Sequence, residues 1–199
     1  GDGYGYNQYI KMNTKLILPM AAAACLATTQ AQVTLDHFDE PASPGGQYVV
    51  AAGVAGSSAN SAAPITGLLA DSRHVRIEID AISGPDSGAA DFSVNQVISA
   101  HRSILSAISN TDPKATLTYD NSTLGLGGVD LSSFPSLQLF DANNDHLTHW
   151  SITLVDGSAA SHTETAVKAA AFNGDINFDL SLFGAVNLAD IDKVVLVID

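Results

Sequence analysis

Short runs of alternating apolar and polar residues, separated by turn-forming residues, limit the folds open to this chain more than any other feature. In the clearest run, RHVRIEI, Val75, Ile77 and Ile79 alternate with Arg76 and Glu78. A period of two predicts an antiparallel strand with one face in the core. Comparable runs recur at roughly ten-residue spacing, with Gly, Asn, Asp and Ser between them. The chain is therefore predicted to be all-β, an antiparallel β-sandwich of jelly-roll-like type.

The remaining strand-like runs extend over most of the chain, so more than a third of residues 32–199 should lie in strands, above the usual strand content. These runs are VTLDHFDEP, GGQYVVAAGVAG, ATLTYDNS, GGVDL, SLQLFD, HWSITLVDG, INFDLSLFG and KVVLVID. In the last run we expect Val195 and Val197 to face the core.

Residues 91–110, DFSVNQVISAHRSILSAISN, admit two interpretations. The apolar residues between Val94 and Ile108 fall at helical spacing, which favours an amphipathic helix. Serine, asparagine and isoleucine dominate, however, where a helix favours alanine, leucine or glutamate. We therefore predict two strands here and keep the helix as the alternative.

The N-terminal residues carry the pattern of an export signal. Met12 opens MNTKLILPMAAAACLATTQAQ, in which Lys15 precedes a short apolar run and small residues lead to a cleavage site after Ala31. We interpret residues 1–11 as an upstream extension, 12–31 as a signal peptide and 32–199 as one β-sandwich domain. The only cysteine, Cys25, lies in the signal, so a disulfide framework is not expected in the domain.

The charge of the chain is strongly acidic and limits its partners. Eight Lys and Arg residues stand against 21 Asp and Glu residues, for a net charge of −13. Such a chain repels phosphate backbones and anionic lipid, so neither nucleic acid nor a membrane surface is an expected partner. No membrane-spanning segment is expected in the mature chain.

The segment DANND, from Asp141 to Asp145, is predicted to be a hairpin connection between the strands SLQLFD and HLTHWSITL. Asn and Asp tolerate left-handed backbone and bond to their own turn. As a calcium loop of the EF-hand type it has His146 where glycine is needed and Ile152 where a bidentate glutamate is needed. The EF-hand is therefore rejected, and a looser site of oxygen ligands is kept as the alternative to a plain hairpin connection.

Motifs for catalysis are nearly missing from the sequence. No G-x-S-x-G elbow or Walker-type loop occurs, and the G-x-G-G of LGLGGVDL leads toward a strand instead of opening a helix. His146 and His149 are spaced so that a strand would point them to opposite faces, which disfavours zinc. Trp150 and Tyr119 raise the question of a sugar-stacking platform, although most aromatic residues are expected in the core. We therefore predict no enzyme and no catalytic residues.

Carboxylates near the two ends of the domain form the main candidate metal site. Asp36 and Asp39 accompany the first predicted strand, and Asp192 and Asp199 flank the last one. If these terminal strands pair, hard oxygen ligands from both ends converge, and such ligands suit Ca²⁺. Calcium is the only cofactor that the sequence suggests, and a solvated acidic rim is the alternative.

The order of segments resembles that of exported bacterial β-sandwich proteins, many of which carry a PEP-CTERM sorting tail. The segments that carry this resemblance are VTLDHFDEP, RHVRIEI, ATLTYDN, GLGGVDL, SLQLFDANND, SITLVDG and ADIDKVVLVID. The opening and closing strands also resemble those of jelly-roll carbohydrate-binding modules, whose structural calcium lies near these ends. The sorting tail itself does not follow, which leaves open a chain truncated at its C-terminus.

The resemblance implies a secreted or cell-surface bacterial protein with a structural or interaction role in the extracellular matrix. Its partners would be an extracellular polysaccharide or other surface proteins. The alternative is a carbohydrate-binding module with a structural calcium ion. The resemblance supplies no catalytic residue for either function.

Overall fold

The computed structural model describes residues 48–53, 56, 58–64, 72–82, 88–94, 103–107, 111–121 and 125–199. Within these ranges the chain forms eleven strands and one 3₁₀ turn, Leu180–Leu182. The strands are β1 (Tyr48–Gly53), β2 (Ser58–Pro64), β3 (Ser72–Ile82), β4 (Gly88–Val94), β5 (Ser103–Ala107), β6 (Thr111–Tyr119), β7 (Ser136–Asn144), β8 (Thr148–Asp156), β9 (Ser161–Lys168), β10 (Phe172–Asp179) and β11 (Ile191–Ile198). More than a third of residues 32–199 lie in these strands, as predicted.

The strands form one large sheet and two smaller ones, and every described pairing is antiparallel. The six-stranded sheet has the order β2-β3-β6-β11-β8-β9, the three-stranded sheet β1-β4-β5 and the two-stranded sheet β10-β7. The prediction of an all-β antiparallel sandwich is therefore confirmed, while the jelly-roll-like topology stays a prediction. No helix within the described ranges has the length and apolar character needed to cross a membrane.

The hydrophobic core lies on one face of the six-stranded sheet. Val75, Ile77 and Ile79 of β3 are buried there, as their alternation predicts. Ile176 of β10 and Ala90 of β4 join the same cluster, so both smaller sheets cover this face. The buried face of the large sheet thus makes one continuous core with them.

The prediction for β11 is wrong about which face is buried. Val194, Leu196 and Ile198 face the core, while Val195 and Val197 lie half-buried on the opposite face. This strand carries apolar side chains on both faces, so its own pattern cannot select the inner one. Its neighbours do so: Leu196 lies opposite the buried Leu117 of β6 and the buried Ile152 of β8.

Residues 91–110 contribute strand at both ends of the segment, as predicted. β4 extends to Val94 and pairs with β5, which begins at Ser103. The helical alternative is therefore wrong for 91–94 and 103–107, and residues 95–102 and 108–110 lie outside the described residues. Serine-rich and β-branched composition outweighs helical spacing of the apolar residues in this segment.

The hairpin predicted at DANND is wrong. Residues 141–144 belong to β7, which pairs with β10, whereas β8 pairs with β11 and β9. The short connection at 145–147 therefore passes from one sheet to another. Asn144 stabilises this corner. Its side-chain amide donates one hydrogen bond to the carbonyl oxygen of His146 and another, of 2.9 Å, to that of Ala169.

Candidate functional site

The outer face of the six-stranded sheet, away from the core, presents two rows of residues without charge. Strand registers place these residues side by side across β6, β11, β8 and β9. The rows are Thr116, Val197, Ser151 and Thr165 in one, and Thr118, Val195, Thr153 and Thr163 in the other. We call these eight residues the outer rows.

The outer rows follow from the strand period and the pairing together. Residues two apart on a strand share a face, and directly opposite residues on paired strands share it too. Thr163 and Thr165 on β9 are exposed, and the other six members are half-buried. Thr153 and Thr163 join their Oγ1 atoms by a hydrogen bond of 2.7 Å. Hydroxyl and methyl groups therefore alternate over a surface four strands wide.

Charged side chains border the outer rows on the β3 side. Glu78 binds both Arg76 and Lys114, the latter with an Nζ–Oε2 distance of 3.6 Å. At the other end of β6, the buried Asp120 carboxylate lies 3.6 Å from Lys193 Nζ and 4.0 Å from His74 Nε2. These pairs neutralise part of the border. The rows themselves consist of Thr, Ser and Val residues and therefore form a neutral field within an acidic protein.

Asp156 is a buried carboxylate that accepts several hydrogen bonds. It is 5% exposed, at the end of β8. Its Oδ1 accepts hydrogen bonds from the Ser158 hydroxyl and from the backbone N–H groups of Ser158 and Ala160, at 2.7–3.0 Å. Its Oδ2 accepts the N–H of Asn187 at 2.9 Å. One carboxylate thus ties the β8–β9 turn to the loop before β11.

Hydrogen bonding lowers the pKa of Asp156 below its ordinary value of 3.8. The Ser158 hydroxyl is the largest cause, followed by the Asn187 N–H, since both stabilise the ionised form. The pKa values of Asp130 and Asp179 are lowered in the same way, by Ser132 and by Ser181. Each of these three aspartates accepts hydrogen bonds from the serine two residues further along its own turn.

Stability should therefore fall in acid as Asp156 is protonated. A group with a depressed folded-state pKa stabilises the protein fully above its unfolded pKa, and this contribution is lost as the pH falls through the folded pKa. The unfolded value is near 3.8, so the loss occurs below it. Urea unfolding of the wild type and Asp156→Asn from about pH 5 to about pH 2 measures the effect. The difference between the two proteins should shrink toward low pH, and a constant difference would contradict this role.

The glycine-rich loop at 125–128 packs against the start of β11. Leu126 N–H donates to the Asp192 carbonyl oxygen at 2.8 Å, and Val129 exchanges two backbone hydrogen bonds with Ile191. The Asp192 carboxylate lies against Gly125, and the Gly127 N–H donates to its Oδ1 at 3.4 Å. The glycine-rich loop of LGLGGVDL therefore surrounds a carboxylate of the same chain.

The four predicted calcium ligands are not brought together in the described part of the chain. Asp36 and Asp39 lie outside the described residues. Asp192 lies at the start of β11 and Asp199 directly after its end, about 23 Å apart at the usual rise per residue. Both edges of β11 are occupied, by β6 and β8, so this strand offers no free edge to a terminal partner.

The described histidines and carboxylates do not assemble into a larger metal-binding group. Within the ranges that the structure describes, no three His, Cys, Asp or Glu side chains converge on a metal position. His146 and His149 are exposed, and His162 Nε2 lies 2.8 Å from Glu164 Oε1. The calcium prediction therefore has no assembled ligand set among these residues.

The described aromatic side chains belong to the core and do not form an exposed platform. Tyr119 and Phe183 are buried, and Trp150 and Phe172 pack against the core from its edge. A sugar ring that stacks on a protein needs an exposed aromatic face. The outer rows offer hydroxyl and methyl groups instead.

The outer rows were not predicted from the sequence, although a signal was present. The four contributing segments read TLT, VLV, SIT and TET, each with small hydroxyl or β-branched residues two apart. Only the strand order reveals that these pairs lie side by side. Comparison with protein-family models, with curated proteins and with solved structures gives no match.

Proposed function

We propose that this chain is an exported bacterial protein of the cell surface or extracellular matrix, with a structural or interaction role and no catalytic activity. The observation that carries the proposal is the uncharged face formed by the outer rows. An extended neutral surface on a chain of net charge −13 suits a partner that is not recognised by charge. The contact residues would be the hydroxyl and valine side chains of the rows.

The roles of four described acidic groups support a non-catalytic protein. Asp130, Asp156 and Asp179 hold turns, and Glu78 is held between Arg76 and Lys114. Hydrolysis of a glycosidic bond by the usual route needs two carboxylates facing each other at a set separation. The carboxylates named here are engaged in local structure and are poorly placed for that role.

Retention at the cell surface tests the interaction role. The tagged full chain is expressed in a bacterium, and its amounts on washed cells and in the medium are compared. We expect the wild type to stay with the cells and Ser151→Glu, which places a charge in the middle of the outer rows, to be released at least several-fold more. Ala185→Glu adds the same charge at an exposed position outside the rows and should behave as the wild type. Equal retention of all three proteins would refute the role of the outer rows.

Glycan binding tests the alternative of a carbohydrate-binding module. The purified full chain is applied to a glycan array with calcium and with EDTA. The proposed interaction role predicts no binding to small free sugars, because the described aromatic residues lie in or against the core. Reproducible binding that calcium strengthens would favour the carbohydrate-binding module.

Thermal unfolding tests calcium binding separately from glycan binding. An ion that binds only the folded state raises the midpoint of thermal unfolding by mass action. Since Asp192 and Asp199 are far apart, we expect equal midpoints in EDTA, in millimolar magnesium and in millimolar calcium. A calcium-specific rise would contradict this expectation and would favour the alternative with a structural calcium ion.

A further inference from the structure

The β9 strand forms one edge of the six-stranded sheet among the described strands. Its pairing with β8 runs through eight consecutive residue pairs without a register shift, and its sequence, SHTETAVK, has no proline. Such a long, regular edge is a template for pairing with another strand. Val167 adds an apolar group that is 54% exposed on the outer face of this edge.

We propose that β9 pairs with β9 of a second copy of this chain, antiparallel and centred on Ala166. A two-fold interface of this kind places residue i opposite residue j and residue j opposite residue i. When Ala166 lies opposite its own copy, Glu164 of each chain lies opposite Lys168 of the other chain. Thr165 lies opposite Val167 on the outer face, so the pairing also covers part of the exposed valine.

Charge selects this register over the neighbouring ones. A shift that centres the pair on Glu164 puts two carboxylates directly opposite each other, which destabilises a strand pair. A shift that centres it on Thr165 puts His162 opposite Lys168 and leaves Glu164 opposite Ala166. Only the register centred on Ala166 gives two opposite-charge pairs between Glu164 and Lys168, at the distance typical of directly opposite residues.

Glu164 and Lys168 each contact a neighbour close to the β9 edge. Glu164 is 28% exposed and contacts His162 of the same strand. Lys168 Nζ lies 4.7 Å from the centre of the Phe172 ring. Both side chains belong to the inner-facing set of β9, so they flank Ala166 on one side of the sheet. The inference does not depend on the proposed function, since a monomer could serve at the cell surface equally well.

Sedimentation of the full chain over a range of concentrations tests the proposal. We expect a monomer–dimer equilibrium for the wild type and at least tenfold weaker dimerisation for Glu164→Lys and for Lys168→Glu, each of which opposes like charges. The double variant with both substitutions should restore dimerisation, because it exchanges the two charges. Urea midpoints check that each variant folds. A monomeric wild type at all concentrations, or a dimer that survives both single substitutions, would overturn the proposal.

Disulfide trapping tests the register independently. In a Cys25→Ser background, Ala166→Cys should cross-link under mild oxidation, because directly opposite Cα atoms lie about 4.5–5.5 Å apart, within disulfide range. Thr163→Cys is the matched control, because in this register its two copies lie roughly 20 Å apart, six residues along the strand. Cross-linking at Thr163→Cys and not at Ala166→Cys would overturn the proposed register.

Discussion

Replacing Leu196 with alanine should lower the free energy of unfolding by about 2–5 kcal/mol. Leu196 of β11 is 4% exposed and lies opposite Leu117 and Ile152, which are themselves buried. Truncation removes buried methyl groups and leaves a cavity that the flanking strands cannot easily close. Urea unfolding followed by circular dichroism measures the loss.

The matched control for Leu196 is its neighbour on the same strand. Val197 lies on the outer face and is half-buried, so Val197→Ala should cost less than about 1 kcal/mol. The two substitutions differ mainly in the face on which they fall. Equal losses, or a larger loss for Val197→Ala, would contradict the orientation of β11.

Replacing Gly125 with alanine should cost about 2 kcal/mol or more, because two effects add. Gly125 has φ +82°, which is unfavourable for any side chain. A Cβ there would also overlap the carboxylate of Asp192, since its ideal position lies 2.6 Å from Cγ. Either the Asp192 carboxylate turns away and loses the hydrogen bond from the Gly127 N–H, or the loop shifts from the start of β11, where it bonds to the backbone of Asp192.

Gly127 separates the two effects. It has φ +77° but no atom within 4 Å of an added Cβ, so Gly127→Ala should cost only the backbone term, about 1–2 kcal/mol. A double-mutant cycle then isolates the contact: Gly125→Ala should cost less in an Asp192→Ala background. Additive losses in that cycle would show that the Asp192 carboxylate does not restrict the loop.

The strands with one polar face could be predicted from the sequence in position and in orientation. In β3 the charged residues Arg76 and Glu78 alternate with the apolar ones, so only one face can be buried. In β11 the run of Val, Leu and Ile fills both faces, and burial depends on the partners in β6 and β8. Orientation in such a strand is a property of the sheet and not of the segment.

The turn at the end of β7 illustrates a second limit. Asn and Asp residues correctly indicate a change of chain direction near Asp145, but turn chemistry is local. It does not specify whether the next strand pairs with the previous one or joins another sheet. That choice depends on distant partners, here β10 for β7 and β11 with β9 for β8.

The candidate site was the least predictable part of the molecule. The calcium hypothesis stays a prediction, because Asp36 and Asp39 lie outside the described residues, while β11 is an interior strand with two described neighbours. The outer rows can be located only from the register of four strands, and β6 and β11 are far in sequence from the neighbouring pair β8 and β9. Short-range patterns such as TLT and TET indicate which residues share a face of their own strand, and the strand order shows which strands lie side by side.

Chemical labelling of one residue in the outer rows on intact cells tests the central claim most directly. In a Cys25→Ser background, Ser151→Cys is labelled with a membrane-impermeant maleimide, on cells that express the protein and on the purified protein. Leu182→Cys, at a 55% exposed position away from the rows, is the reference. We predict that the ratio of labelling at Ser151→Cys to labelling at Leu182→Cys falls at least several-fold on cells, because a partner covers the outer rows. An unchanged ratio would contradict the claim that this face is the interaction surface.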